Sequence, residues 1–368
     1  MIPLRILHQV PDPTGTEAQA VRPVLDALAT EGHEGAWLCP APTTPADDHR
    51  TVVTFTPGWW RWWRSERQAT VQRVAAWTPD LLHVHSLEHL GATLDIARRL
   101  GLSVVATMHE LAEPHAARRL RDNLVAWVLV PSEHHRAHYL AQVGVPRDRI
   151  VILPSGVAIT AEPEACTTAN GWSVGLVDQE EDDEGATRFL TAVAELQAAG
   201  LPLHAQILCD DADRADDLNR LAADRHATVT LVPGDDLRGF LAQVDVLALA
   251  SDRSTNPVLP LTAMALGRPL VAVTNGGLPE LVRDGVTALL VEPDDHDGLT
   301  QGLRQLHSRA RREELAQASR ALARELYDAH LVAQATLTVY RAMLGDSGTG
   351  AKAEVTTTWR RMTDSRVR

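Results

Sequence analysis

SDRSTNPVLPLTAMALGRPLVAVTNGGLPELVRDGVTALLV, residues Ser251 to Val291, decides the fold. It reads as loop, helix, strand, Gly-Gly turn, helix, strand. Ser254 or Thr255 is expected as the N-cap of the first helix, with Pro257 in its first turn. Val258, Leu261, Ala265 and Leu266 recur near helical spacing, and Gly267 ends the helix. Pro269 to Val273 is a short apolar run of strand type. Gly276-Gly277 turns the chain back, and Leu278 to Val282 opens a second helix. A strand that ends in a Gly-rich turn and feeds a helix is how parallel α/β sheets present backbone N–H groups to phosphates.

The stretch resembles the donor-binding core of the retaining glycosyltransferases of family 4. Ala263-Met264, Gly267-Arg268-Pro269, Val271-Ala272 and Gly276-Gly277-Leu278-Pro279-Glu280 match that family's usual line. Its two signature glutamates do not match: Ser254 stands at the first and Thr262 at the second. The resemblance runs over roughly residues 4 to 344. It implies the GT-B fold, an α/β architecture of two Rossmann-like domains with parallel sheets facing across a cleft. The expected division is an acceptor-side domain over 1–159, a linker over 160–171 and a donor-side domain over 172–328. A helix over 329–345 crosses back to the first domain, and a flexible tail covers 346–368.

Composition agrees with two ordinary globular domains. The chain has 368 residues, 45% of them hydrophobic and 23% charged, with a formal net charge of −13. That charge argues against nucleic-acid binding and against a basic membrane-facing surface. No apolar run reaches membrane-spanning length, and the first residues carry no secretion signal, so the expected location is cytoplasmic. Cys39, Cys166 and Cys209 are far apart and match no metal spacing. They read as free thiols, and neither a metal nor a cofactor is expected.

In chain order, Leu4 to Val10 is a strand, followed by a turn-rich loop to Thr16. A helix over Glu17 to Thr30 comes next, then Gly32 and a strand over Ala36 to Cys39. The loop resembles the family's opening Gly-Gly loop, with Gly15 matching and Thr16 in place of the second Gly. Trp59, Trp60, Trp62 and Trp63 crowd one segment with Arg61 and Arg64. Four tryptophans in five positions cannot all face one core. Three readings stand: an acceptor platform, a protein-partner surface, or a loop with buried anchors. Leu81 to His85 and Val104 to Met108 are buried strands. His109 follows the second at its C-terminal end, where ligands of open α/β sheets gather, and it matches the family's cleft histidine. His83 and His85 read as core-edge histidines with backbone partners. Further strands are expected at Trp127 to Val130 and Val151 to Leu153. Ser155-Gly156-Val157 resembles the family's Asn-Gly-Val.

The second half opens at Trp172 to Leu176, where Gly175 matches. Relatives continue with an Arg and a Lys that hold the donor diphosphate. Leu176 and Glu184 replace them, and Asp178 to Glu184 holds six acids and no base. This run either repels a diphosphate or is a solvated loop whose acids complement the next helix. Further on, Glu292 to Asp295 is expected to cap a helix over Leu299 to Leu306.

The resemblance implies sugar transfer from a nucleotide-sugar donor to a hydroxyl acceptor, with a small-molecule acceptor expected and anomeric configuration retained. The residues it marks for the donor are Gly15, Thr16, Gly175, Ser254, Asn256, Val258, Leu259, Thr262, Gly276 and Gly277, with His109 at the reacting sugar, and Arg253 is added from the sequence itself as a candidate replacement for the lost cation. The substitutions leave a second reading, an inactive GT-B homologue that serves as a binding module or as the protein partner of an active enzyme.

Overall fold

Strands form where short apolar runs are bounded by turn residues. In the computed structural model, which describes residues 2–41, 50–56, 64–159, 172–178, 182–253 and 256–345, these runs build two parallel sheets. The first unit comprises the chain up to Val157 and from Leu326 onward. It contains β1 (Arg5–Gln9), α1 (Thr16–Thr30), β2 (Glu34–Pro40), β3 (Val52–Phe55), α2 (Arg64–Trp77) and β4 (Leu81–Val84). Then come α3 (Leu90–Leu100), β5 (Ser103–Thr107), the one-turn α4 (Pro114–Ala117), β6 (Val125–Val130), α5 (Glu133–His138) and β7 (Ile150–Ile152). The sheet order is β3-β2-β1-β4-β5-β6-β7.

The second unit runs from Ala158 to Glu325. It contains β8 (Trp172–Val177), α6 (Asp183–Ala198), β9 (Leu203–Cys209), α7 (Ala212–Asp224), β10 (Val229–Pro233), α8 (Leu237–Gln243) and β11 (Val246–Leu249). It continues with α9 (Val258–Ala265), β12 (Leu270–Val273), α10 (Leu278–Leu281), β13 (Leu289–Val291), α11 (Gly298–Gln305) and α12 (Arg309–Leu326). Its sheet order is β10-β9-β8-β11-β12-β13. The central strands β4, β11 and β12 are buried at every position, as strands covered by helices on both faces must be. Each sheet reverses its strand order once, between β1 and β4 and between β8 and β11. The carboxyl ends of strands at such a reversal are where open α/β sheets hold ligands.

The last helix, α13 (Ala329–Met343), belongs to the first unit. Val157 N donates to Tyr327 O at 2.8 Å and Ala329 N donates to Val157 O at 3.0 Å, so the departing and returning chain are stitched together. Val332, Ala333, Leu337 and Tyr340 of α13 are buried with Leu4, Ile6, Ala27 and Leu28.

The structure differs from the expectations in several places. The sequence reading lacks β3 and α2. The first turn of α9 is satisfied by Asn256, whose Oδ1 accepts from Val258 N at 3.0 Å, and the N-cap is Pro257, one residue before the helix. The cap expected at Ser254 or Thr255 is corrected accordingly, and those two residues lie outside the described ones. The N-cap of α11 is Asp297, not the Glu292 to Asp295 run, which forms the turn before it. The Trp59 to Trp63 segment, the 160–171 linker and the 346–368 tail also lie outside the described residues.

Candidate functional site

In the second unit a pocket sits at the sheet's reversal point, lined by the ends of β8 and β11, the start of α6 and Leu259 of α9. Asp182, only 6% exposed, caps α6 by accepting from Gly185 N at 3.0 Å. A Cβ on Gly185 would lie 2.3 Å from Asp182 Oδ2 and 3.2 Å from Ser251 Cα, so glycine is required by this close approach. Gly175 is glycine for a similar reason: its Cβ would meet Phe240 Cζ of α8 at 2.8 Å.

The described acids of the 178–184 run are partnered. Arg214 of α7 donates from Nε and Nη2 to the two oxygens of Asp178, at 2.9 and 3.1 Å, and from Nη1 to Asp183. These carboxylates push the Arg214 guanidinium further up from its already high pKa. Glu184 pairs with Arg188 one turn along α6, and Arg188 also donates to the carbonyl of Ala250 in the pocket lining. Asp182, Asp183 and Glu184 therefore serve the start of α6, where acids are favourable. Two guanidinium groups stand beside a run that contains no base of its own.

The Ser251 to Leu278 segment closes on itself. Ser251 Oγ accepts from Arg253 N at 3.1 Å, and Ser251 O accepts from Asn275 Nδ2 at 2.9 Å. The loop before α9 is thus tied to the Gly276-Gly277 turn, where Gly276 has a φ of 40°. Val258 N is directed to Asn256 Oδ1, and Leu259 N to Asn256 O at 3.3 Å. Thr262 Oγ1 donates to Val258 O at 2.7 Å, within its own helix. Arg253 is exposed. Arg268 of the Gly-Arg-Pro run is only 5% exposed and donates to Leu241 O and Ala242 O at 2.9 and 3.0 Å, satisfying carbonyls at the end of α8.

In the first unit the reversal point carries histidines. β1 and β4 pair with His8 opposite His83. His85 lies two residues beyond His83, on the same face by strand alternation, and His109 follows β5. His8 Nδ1 and His85 Nε2 are 3.0 Å apart. His83 Nδ1 bonds the Tyr340 hydroxyl of α13 at 2.6 Å, and His83 Nε2 bonds the Thr107 hydroxyl at 2.7 Å. His109 Nδ1 lies 3.1 Å from Ser155 Oγ, while its Nε2 is buried without a hydrogen-bond partner. The rings of His85 and His109 are stacked, with centroids 6.4 Å apart. A cavity of about 40 Å³ adjoins the four rings, bounded by α1 and α13. Burial lowers the pKa of all four histidines, that of His109 to about 4, so each is a neutral imidazole near pH 7.

His83 and His85 are therefore not core-edge residues with backbone partners. Both are buried, and their hydrogen bonds go to Tyr340, Thr107 and His8 side chains. The sequence reading did not single out His8, although His83-x-His85 on a strand announces two imidazoles on one face. It also missed Arg188, Arg214 and Asn275. Gly15 is the N-cap of α1, and Gly15 N donates to Asp12 O at 3.2 Å. The side chain of Thr16 is outside the described ones.

Two family models match, Glycosyltransferase Family 4 over residues 18–160 and Glycosyl transferases group 1 over 173–309. The chain is 26% identical over 322 residues to a D-inositol 3-phosphate glycosyltransferase of Frankia alni, covering 75% of this chain and 73% of that protein. It is 26% identical over 252 residues to the 2-deoxystreptamine glucosyltransferase of Streptomyces kanamyceticus, 59% of this chain and 65% of that protein. A match to the sulfoquinovosyl transferase SQD2 of Arabidopsis thaliana is 33% identical but spans 115 residues, 22% of that protein. Among solved structures, HepE of Anabaena in complex with UDP and glucose superposes with a TM-score of 0.75 at 18% identity, over 92% of this chain and all of that one. Sucrose-phosphate synthase of Thermosynechococcus elongatus gives 0.72 at 19% identity, over 94% and 100%. Two family models in the same order along the chain, and two parallel Rossmann-like units that superpose on GT-B structures, establish that this chain belongs to the family 4 glycosyltransferases of GT-B fold.

Proposed function

We propose that the protein transfers a sugar from a nucleotide-sugar donor to a hydroxyl of a small-molecule acceptor, with retention of configuration. In the reaction the bond from the anomeric carbon to the diphosphate oxygen breaks, and a bond from that carbon to the acceptor oxygen forms. The acceptor proton leaves with the diphosphate. Catalysis of this kind consists mainly of positioning and of stabilising the departing charge.

The observation that carries the reading is His109: a neutral imidazole at a strand end, held through Nδ1 by Ser155, with Nε2 buried and unpartnered. With Ser155 donating to Nδ1, Nε2 carries the proton and donates to a sugar hydroxyl. Arg188 supplies the cation missing at Leu176 and Glu184. It reaches the Ala250 carbonyl of the second unit's pocket, and a guanidinium has five N–H donors for a diphosphate to share. The Ser251, Asn256 and Gly276-Gly277 segment forms the remainder of the donor site. The small acceptor is supported by the likeness to the 2-deoxystreptamine glucosyltransferase, a relative named for a small molecule.

The test is calorimetric titration of the purified protein with nucleoside diphosphates and nucleotide sugars, followed by turnover with the sugar that binds. Arg188→Ala is expected to weaken nucleoside diphosphate binding about 10- to 100-fold, the loss of one charge-assisted hydrogen bond. His109→Ala is expected to leave that affinity in place and slow turnover by a similar factor. A specific observation favours a second reading, a binding module without turnover: Thr262 directs its hydroxyl into its own helix and offers no charge to a ribose. Saturable binding of one member without turnover would favour the second reading, and a folded protein that binds no member of the panel would sink the transferase reading.

A further inference from the structure

Among the described residues, one group of potential metal-ligating side chains draws together: His8, His83 and His85, with one nitrogen from each within 4.8 Å of the others. All three are buried, at 1%, 3% and 5% exposure. A buried polar atom normally finds a hydrogen-bond partner. Here His8 Nε2 and His85 Nδ1 have none, and the only bond between these two rings is the 3.0 Å contact of His8 Nδ1 with His85 Nε2. His8 Nδ1 and His85 Nε2 are the facing nitrogens that a shared ion would take, and the unpartnered His8 Nε2 and His85 Nδ1 are not the atoms it would bind.

The arrangement meets the requirements of a metal centre. The rings are neutral, the form that ligates. They are carried by two adjacent strands in fixed register and by the residue just after the second, which is the rigid support a site needs. Zn–N bonds of about 2.0–2.1 Å in a tetrahedron place ligand nitrogens about 3.3 Å apart. The His8–His85 pair needs to open by only a few tenths of an ångström to reach that spacing, and His83 closes from within 4.8 Å. A ligating histidine usually gives its second nitrogen to an oriented partner. His83 has one on either side, Tyr340 at Nδ1 and Thr107 at Nε2, so whichever nitrogen ligates, the other remains held. The adjoining 40 Å³ cavity has room for a water at the fourth position.

We propose that His8, His83 and His85 form a tri-histidine site for a borderline divalent transition metal such as zinc, with water as the fourth ligand. An all-imidazole donor set selects zinc, cobalt, nickel or copper over the oxygen-seeking magnesium and calcium. The ion pins the carboxyl ends of β1 and β4 together and fixes the ring on which His109 stacks. The proposal departs from the sequence-based expectation that no metal binds, and it does not depend on the transferase reading.

The experiment is titration of tag-free, EDTA-stripped protein with Co2+, read by its visible d–d absorption, with Zn2+ as displacing competitor. One equivalent of Co2+ is expected, with the intense spectrum of a four-coordinate site. Zn2+ should bleach it and Mg2+ should not. His8→Gln and His85→Gln should weaken binding by more than about 100-fold. One of Tyr340→Phe and Thr107→Val should weaken it by about 10- to 100-fold, identifying the ligating nitrogen of His83. The exposed control His204→Gln should leave binding unchanged. X-ray absorption of the Zn2+-loaded wild-type protein, which needs no variant to fold, should show three imidazole nitrogens at about 2.0–2.1 Å. No four-coordinate spectrum, binding that survives His8→Gln and His85→Gln, or an oxygen-only shell would each overturn the proposal.

Discussion

Arg268 stands in one of the runs by which the family is recognised, yet its guanidinium is buried and donates to the last carbonyls of α8. Removing it strands Leu241 O and Ala242 O. Arg268→Ala is expected to lower stability by about 3 kcal/mol in urea unfolding, and to leave nucleotide affinity unchanged in the folded protein. Gly175→Ala is expected to cost about 1–3 kcal/mol by driving a Cβ into Phe240. Phe240→Leu should relieve part of that cost, and a double-mutant cycle between the two positions measures the relief. Sequence revealed both residues but not their physical work, because each acts on an element far away in the chain. The histidine cluster was hidden for the same reason. His8 meets His85 only because β1 pairs with β4, and strand order is not written in either segment.

At the scale of elements, the buried strands and glycine-ended helices were legible wherever apolar runs are continuous. β4 and β12 lie close to where their composition puts them. β3 was missed because Thr54 interrupts its apolar run and only two of its four residues are buried, and α2 because its apolar positions form no clear stripe along RSERQATVQRVAAW. The cap of α9 was misplaced because Ser254, Thr255 and Asn256 are all good capping residues in succession. The role of α13 is open to a direct test. Its buried side chains Val332, Leu337 and Tyr340 complete the core that holds Leu4, Ile6 and Leu81. At about 1.5–3 kcal/mol for each large apolar side chain, their loss approaches the whole stability of a domain. A chain ended at Asp328 should show no cooperative unfolding of its first unit by calorimetry and should bind a hydrophobic dye. A sharp transition at the full-length temperature would refute this role.

For the molecule as a whole, buried neutral histidines set the response to acid. Burial, with His134 nearby, pushes His135 down to about 4, and burial also lowers His33. The unfolded chain binds protons at these sites near pH 6.5, where the folded chain does not, so stability falls as pH drops below 6.5. For His135 the loss is about 1.4 kcal/mol per pH unit and ends near its folded value of about 4. Urea midpoints at pH 7.5, 6.5, 5.5 and 4.5, taken with chelator present, should fall slightly across the first pair and more steeply thereafter. A constant midpoint to pH 4.5 would contradict the burial of these rings.

The stitch at Val157 has a consequence in time. The ribosome completes β1 to β7, then all of Ala158 to Glu325, before it makes the helix that covers Leu4, Ile6 and Leu81. At about 5–20 residues per second, the earlier half waits roughly 10–30 s with an apolar face open to water. The contiguous second unit can finish during that interval. The nascent first unit is therefore the natural client of a chaperone, and synthesis slowed between the two segments would lengthen its exposure.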